Sequence, residues 1–244
     1  MEEVLSTVPV KVTADMNRIR LDLYKEGEVK DALFQMFPTK EMGPDGFPAH
    51  FFQRHWELCG KEVIAMVLEL LNGEEEPMGI NETLIVLIPK VASPEEIGQF
   101  RPISLCNVIY KIASKVLANR LKIFLPEIIL EEQSAFVPGR LITDNIISAY
   151  ECLHFMKRKR ATGLGCCALK LDMKKAYDRV EWVYLDAIMR WLGFHHRWVD
   201  TIMRFVRSVS FLVLFNGDKL ESFRPTHGIQ QGDPISPYLF LQAA

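Results

Sequence analysis

Apolar positions recur at helical spacing through most of the chain and at strand spacing in a few short stretches. Val29, Ala32, Leu33, Met36 and Phe37 share one helical face between Glu28 and Phe37, and Pro38 closes that helix. Gly43-Pro44-Asp45-Gly46 has turn chemistry, and a second helix is predicted from Ala49 to Leu71, stopped by Asn72-Gly73. After an acidic loop, Thr83 to Ile88 is β-branched and apolar over strand length and delivers Pro89-Lys90 at its end. Phe100 to Ser104 leads into a long helical pattern, Val108, Ile112, Val116, Leu117, Leu121 and Phe124, which Pro126 terminates.

The second half continues in the same alternation. A helix is predicted from Thr143 to the run Lys157-Arg158-Lys159-Arg160, whose cations suit a helix C-terminus. Cys166 to Leu171 reads as a short strand ending on Asp172, and Val180, Val183, Leu185, Ile188, Met189 and Leu192 mark a helix stopped by Gly193. Ser210 to Asn216 reads as a strand entering the turn Asn216-Gly217-Asp218, with Leu220 to Arg224 as its returning partner. Gly228 to Ser236 is a turn-rich loop, and Pro237 opens a helix that is two turns long at most before the last residue, Ala244. A helix with no C-terminal cap leads us to expect a truncated domain.

Composition adds class. With 49% hydrophobic and 25% charged residues over 244 positions, the chain can bury a core as one large domain or two small ones. No apolar stretch is long enough to cross a bilayer and the acidic N-terminus lacks signal-peptide character, so an intracellular protein is the default. The five cysteines, Cys59, Cys106, Cys152, Cys166 and Cys167, form no C-x-x-C pair and are expected to be reduced core thiols. The net charge of −2 hides an asymmetry: residues 1–100 hold 9 Lys+Arg against 18 Asp+Glu, and residues 101–244 hold 20 against 13. A basic half can attract a phosphate backbone, although charge runs also simply solvate a surface.

Asp172, at the end of an apolar strand, is where a nucleotidyl transferase needs a carboxylate, because a rigid strand can aim its oxygens at two Mg²⁺ ions. An aspartate there also caps helices and forms turns. Its surroundings decide between these. Leu171-Asp-Met-Lys-Lys-Ala-Tyr-Asp-Arg-Val180 resembles the first catalytic motif of reverse transcriptases in the form found in plant LINE-type (non-LTR) retrotransposons, and Gly228 to Phe240 resembles their template- and nucleotide-contacting motif. Leu84 to Lys90, Phe100 to Asn107 and Glu132 to Asn145 are similar to three further blocks of the family in the same order, and Gly43 to Phe47 to its N-terminal block.

The resemblance implies an α+β fold: right-hand polymerase fingers and a partial palm, helix-rich with a small antiparallel sheet, and incomplete. Residues 1–27 would flank it, 28–165 would form the fingers with their N-terminal extension, and 166–244 the truncated palm. It implies template-directed addition of dNTPs to a primer 3′-hydroxyl, with an RNA template, a DNA primer, two Mg²⁺ ions and no membrane, and it implies nuclear action. Asp172 would be catalytic and bind metal, with the Met173 carbonyl as a backbone ligand. Lys90 and Arg101 would hold the triphosphate, Tyr177 would sit under the sugar and exclude a 2′-hydroxyl, and Gln231 and Gly232 would contact the nucleotide. Asp178 is expected to cap or pair on the following helix, Asp233 to hold its turn, and His195-His196 to bind no metal. The family's second catalytic motif, Ala-Asp-Asp after an aromatic residue, does not occur in the 244 residues, so the chain alone is expected to be inactive. A non-catalytic nucleic-acid-binding remnant and a group II intron maturase-like relative stay open as alternatives.

Overall fold

The computed structural model describes residues 23–159, 167–215 and 218–243. Its centre is a helix, α4 (Val108–Lys122), which buries twelve of its fifteen residues and so has neighbours on all sides. On one side pack α1 (Glu26–Phe34), α2 (Ala49–Arg54) and α3 (Trp56–Asn72). The single helix expected from Ala49 to Leu71 is broken at His55, whose φ of −104° and ψ of 23° leave the helical region. Gly73 closes α3 in the left-handed conformation at φ 83°, as the Asn-Gly pair implied.

Strands β1 (Glu82–Pro89) and β2 (Phe100–Cys106) form an antiparallel hairpin in which Ile88 faces Arg101 across the ladder. β2 carries no alternating pattern, having Pro102 near its start, and reads from sequence only as a lead-in to α4. The sheet order is β2-β1-β3-β4, with β3 at Ser210–Phe215 and β4 at Asp218–Lys219. β1 and β3 run parallel, so the sheet is mixed where an antiparallel one was expected. The cause is topological: the intervening helices form a crossover, which a parallel pair requires. The returning strand expected at Leu220–Arg224 is reduced to β4 and one bridge, Phe211 to Phe223. The turn residues Asn216 and Gly217 lie outside the described residues.

A short helical turn, α5 (Leu125–Ile128), follows α4, and α6 (Ile142–Lys159) comes next, burying none of its residues. The strand expected from Cys166 to Leu171 is absent over its described part, where Cys167 to Leu171 forms no strand and pairs with none among the described residues. A strand needs a ladder partner, and Leu169 and Leu171 stand more than 80% exposed. α7 (Trp182–Trp191) is as patterned and ends at Gly193, at φ 85°; α8 (His196–Arg207) is a helix that the sequence reading did not predict, and α9 spans Ser236–Ala243. Among the described cysteines, all free, only Cys106 is a core thiol; Cys152 and Cys167 are exposed and Cys59 is half-buried, while Cys166 lies outside the described residues.

Candidate active site

The loop Gly228–Ser236 is anchored on two sides by backbone hydrogen bonds. The Gly228 amide donates to the Val180 carbonyl at 2.8 Å and the Ile229 amide to the Tyr177 carbonyl at 3.0 Å, while the Trp182 indole donates to the Gly228 carbonyl at 2.7 Å. On the other side the Ser104 amide donates to the Gln231 carbonyl at 2.9 Å. The loop thus joins β2 to the turn that carries Tyr177. Gly232 sits at φ 118°, and a Cβ there would lie 2.8 Å from the Ser104 carbonyl oxygen. Close approach does require this glycine, and what it approaches is the strand backbone.

Below the loop, Asp233 is buried, and its carboxylate accepts hydrogen bonds from Ser114 Oγ on α4 and from Ser236 Oγ at 3.3 Å. Burial pushes its pKa up to about 6, against the lowering effect of the two hydroxyls. It holds the turn, as expected. Gln230 is also buried: its amide donates to Asn81 Oδ1 at 3.1 Å and to Thr83 Oγ1 at 3.0 Å, and Asn81 in turn donates to the Phe205 carbonyl and to Ser208 Oγ. This network was not legible in the sequence, where Asn81 and Thr83 look like loop and strand-edge residues. With Gln230 consumed in the interior, half-buried Gln231 is the glutamine left available at the surface.

Tyr177 opens a 3-10 turn, Tyr177–Arg179, and so is not on a helix; the strand-to-helix junction bends at Lys175, which has φ 55°. Its ring is half-buried and stacks on Phe240 of α9 at 5.0 Å between centroids and 15° between planes, and burial raises its pKa. Asp178, in the same turn, forms no ion pair among the described residues. Lys90 and Arg101 lie together at the tip of the β1–β2 hairpin, both exposed. The Lys90 amide donates to the Gln99 carbonyl and its ammonium to the Gly98 carbonyl at 3.2 Å. His195 caps α8 by accepting from the Arg197 amide at 3.0 Å, a structural role.

Asp172 and Met173 are both exposed, in a segment that joins no strand or helix. Among the described residues no three His, Cys, Asp or Glu side chains come close enough to hold a metal ion. One carboxylate and one carbonyl do not fit a two-ion Mg²⁺ site, which needs further carboxylates. A mainly apolar cavity of about 450 Å³ lies behind the loop, between Tyr110, Phe205, Phe211, Phe223 and Ile229, and Asp172 is not among its walls.

Residues 88–244 match the sequence pattern of reverse transcriptase (RNA-dependent DNA polymerase), well over half of the chain. The chain belongs to the reverse transcriptase family. It is 32% identical over 242 residues to the transposon TX1 uncharacterized 149 kDa protein of Xenopus laevis, covering 99% of this chain and 18% of that protein. It is 29% identical over 168 residues to the Pol polyprotein of the type-2 retrotransposable element R2DM of Drosophila melanogaster, 67% of this chain and 15% of that one. With the Pol polyprotein of the R2 element of Nasonia vitripennis it shares 31% over 202 residues, 81% of this chain and 18% of that one. This reverse transcriptase chain therefore spans less than a fifth of the length of these relatives, which support the non-LTR type of element that its motifs resemble.

Proposed function

We propose that the chain forms the fingers, residues 28–165, and the first part of the palm, from residue 166, of an RNA-directed DNA polymerase that adds deoxynucleotides to a primer annealed to RNA. The wording of Leu171–Val180 and Gly228–Phe240 favours a plant LINE-type lineage within the non-LTR group. The observation that carries the reading is the Gly228–Ser236 loop, bonded to the Ser104 amide through Gln231 and to the Tyr177 carbonyl through Ile229, with Gln231 half-buried and the Tyr177 ring stacked on Phe240. A nucleotide site needs such preorganisation, because groups held in place lose no freedom when substrate binds.

Lys90 and Arg101, exposed at the same end of the hairpin and without an ion pair among the described residues, suit a triphosphate: an ammonium and a planar fork. Tyr177, backed by Phe240, presents a ring that cannot retreat, which suits discrimination at the sugar. Asp172 is assigned as the catalytic carboxylate of the family motif, with Met173 beside it. The described residues do not complete a site for magnesium. For the same reason the chain by itself is assigned no polymerase activity.

The test is equilibrium binding of a fluorescent dNTP. Lys90→Ala and Arg101→Ala should each weaken binding by roughly ten- to a hundredfold, the size of a lost charge-assisted hydrogen bond. Tyr177→Val should narrow the preference for deoxy- over ribonucleotide. That the described residues hold no cluster of three metal-ligating side chains favours a second reading, a nucleic-acid-binding remnant without chemistry. That reading expects RNA binding with no dNTP binding that depends on Lys90 or Arg101.

A further inference from the structure

Among the described residues α6 (Ile142–Lys159) is the one α-helix that buries none of its side chains; every other gives at least one residue to the core. Its apolar positions are nevertheless ordered. Ile142, Ile146, Ala149, Leu153 and Met156 recur at steps of four, three, four and three residues, the spacing of a seam between two helices. Ile142, Ile146 and Leu153 are 63%, 64% and 52% exposed, and Tyr150 beside them 70%. The helix is tied to the body near its start, where Ser134 Oγ donates to Asn145 Oδ1 at 2.6 Å. Burying the stripe requires a partner from outside the described residues.

The two ends of α6 carry opposite charge: Asp144 lies in the first turn, and Lys157, Arg158 and Lys159 in the last. A second copy laid parallel sets two basic turns side by side. An antiparallel copy instead sets each basic turn beside the other's Asp144 and opposes the two helix dipoles. Eighteen residues make a helix about 27 Å long. With roughly 100 Å² from each of Ile142, Ile146, Tyr150, Leu153, Met156 and Lys157, two such helices bury about 1,200 Å² in total, the lower bound of a specific interface.

We propose that α6 is a self-association surface, at which two copies of this chain pair antiparallel through Ile142, Ile146, Ala149, Leu153 and Met156. A second copy is the occupant because a two-fold axis across the helix sets the stripe against itself and each basic turn against an acidic one. Ala149, near the middle, lets the two backbones approach. The small area makes the dimer weak, with a Kd in the micromolar range. The inference goes beyond the polymerase reading and shares no residue with the nucleotide site.

The experiment is sedimentation velocity of the full chain across the micromolar range, for wild type, I146E/L153E, D144K and D144K/K157E, with circular dichroism of each. Wild type should pass from monomer to dimer as concentration rises, and I146E/L153E should stay a monomer with an unchanged spectrum, since both side chains are exposed. D144K should weaken the dimer several-fold, the effect of two symmetry-related surface charge pairs, and D144K/K157E should recover it. A wild type that is monomeric throughout overturns the proposal in favour of another occupant of the stripe. A dimer that survives I146E/L153E places the contact elsewhere and overturns it, as does association that grows without stopping at two copies. A dimer indifferent to D144K overturns the antiparallel pairing, and this pair of charge variants decides the matter where I146E/L153E fails to fold.

Discussion

The side chains of Gln230 and Asn81, 149 residues apart in sequence, meet in the interior at 3.1 Å, and through that contact the active-site loop is fixed to the end of α8 and the start of β1. Both residues are buried, Asn81 completely. Asn81→Ala or Gln230→Ala leaves buried donors and acceptors unmatched, and each should destabilise the fold by about 1–3 kcal/mol. Urea unfolding of both single variants and the double variant checks this, with the double expected to fall short of the sum because the partners share one network.

Asp233 gives the chain a pH signature. Its folded-state pKa, about 6, is above the ordinary value of 3.8, so between those values the folded chain binds more protons than the unfolded one. The stability Asp233 contributes is complete below about pH 4 and is lost as pH rises through 6. Relative to Asp233→Asn, wild type should lose on the order of 2–3 kcal/mol between pH 4 and pH 7. Parallel pH profiles in chemical denaturation would show that the carboxylate is not confined as described.

Gly232→Ala places a methyl group 2.8 Å from the Ser104 carbonyl oxygen at a backbone angle that alanine avoids. The neighbour is backbone and cannot swing away. The substitution should cost about 1–3 kcal/mol and release the Ser104 amide, which hydrogen exchange will report as faster exchange at that position.

Arg120 and Glu28 tie α1 to α4 in a fork, Nε to Oε1 and an η nitrogen to Oε2, each at 2.7 Å, with the Arg120 side chain only 9% exposed. Hydrogen bonds from Arg120 and the Lys25 amide outweigh burial and hold the Glu28 carboxyl below its usual range, so its stabilisation is present above the unfolded pKa and is lost as pH falls through the folded one. Glu28→Gln leaves the guanidinium half-satisfied and should lower the melting temperature measurably. Since Glu28 is partly exposed, the loss should stay below the roughly 3–5 kcal/mol of a fully buried pair.

α3, α4 and α7 were legible because their apolar positions recur with a 3.6-residue period. β2 was not, because its pairing with β1 is settled by backbone ladder bonds and by Ser104 meeting Gln231, none of which leaves a side-chain pattern. The strand read at Cys166–Leu171 shows the converse: the pattern is present, but no neighbouring strand in the described residues pairs with it. Lys90 and Arg101 lie at the same end of the β1–β2 hairpin, and the Tyr177 carbonyl accepts from the Gly228–Ser236 loop. What joins them, Asn81, Thr83, Ser114 and Gln230, consists of small polar residues whose partners are more than a hundred positions away, and that kind of contact has no local signal.

On the function proposed above, Asp172 is the family's catalytic carboxylate, and the described residues do not complete a metal site around it. Primer extension on poly(rA)/oligo(dT) with Mg²⁺ and dTTP, run beside binding of the same duplex over a salt series, tests it most directly. The account predicts salt-sensitive binding and no extension. Sustained dTTP incorporation by this chain, abolished by Asp172→Ala, would contradict it.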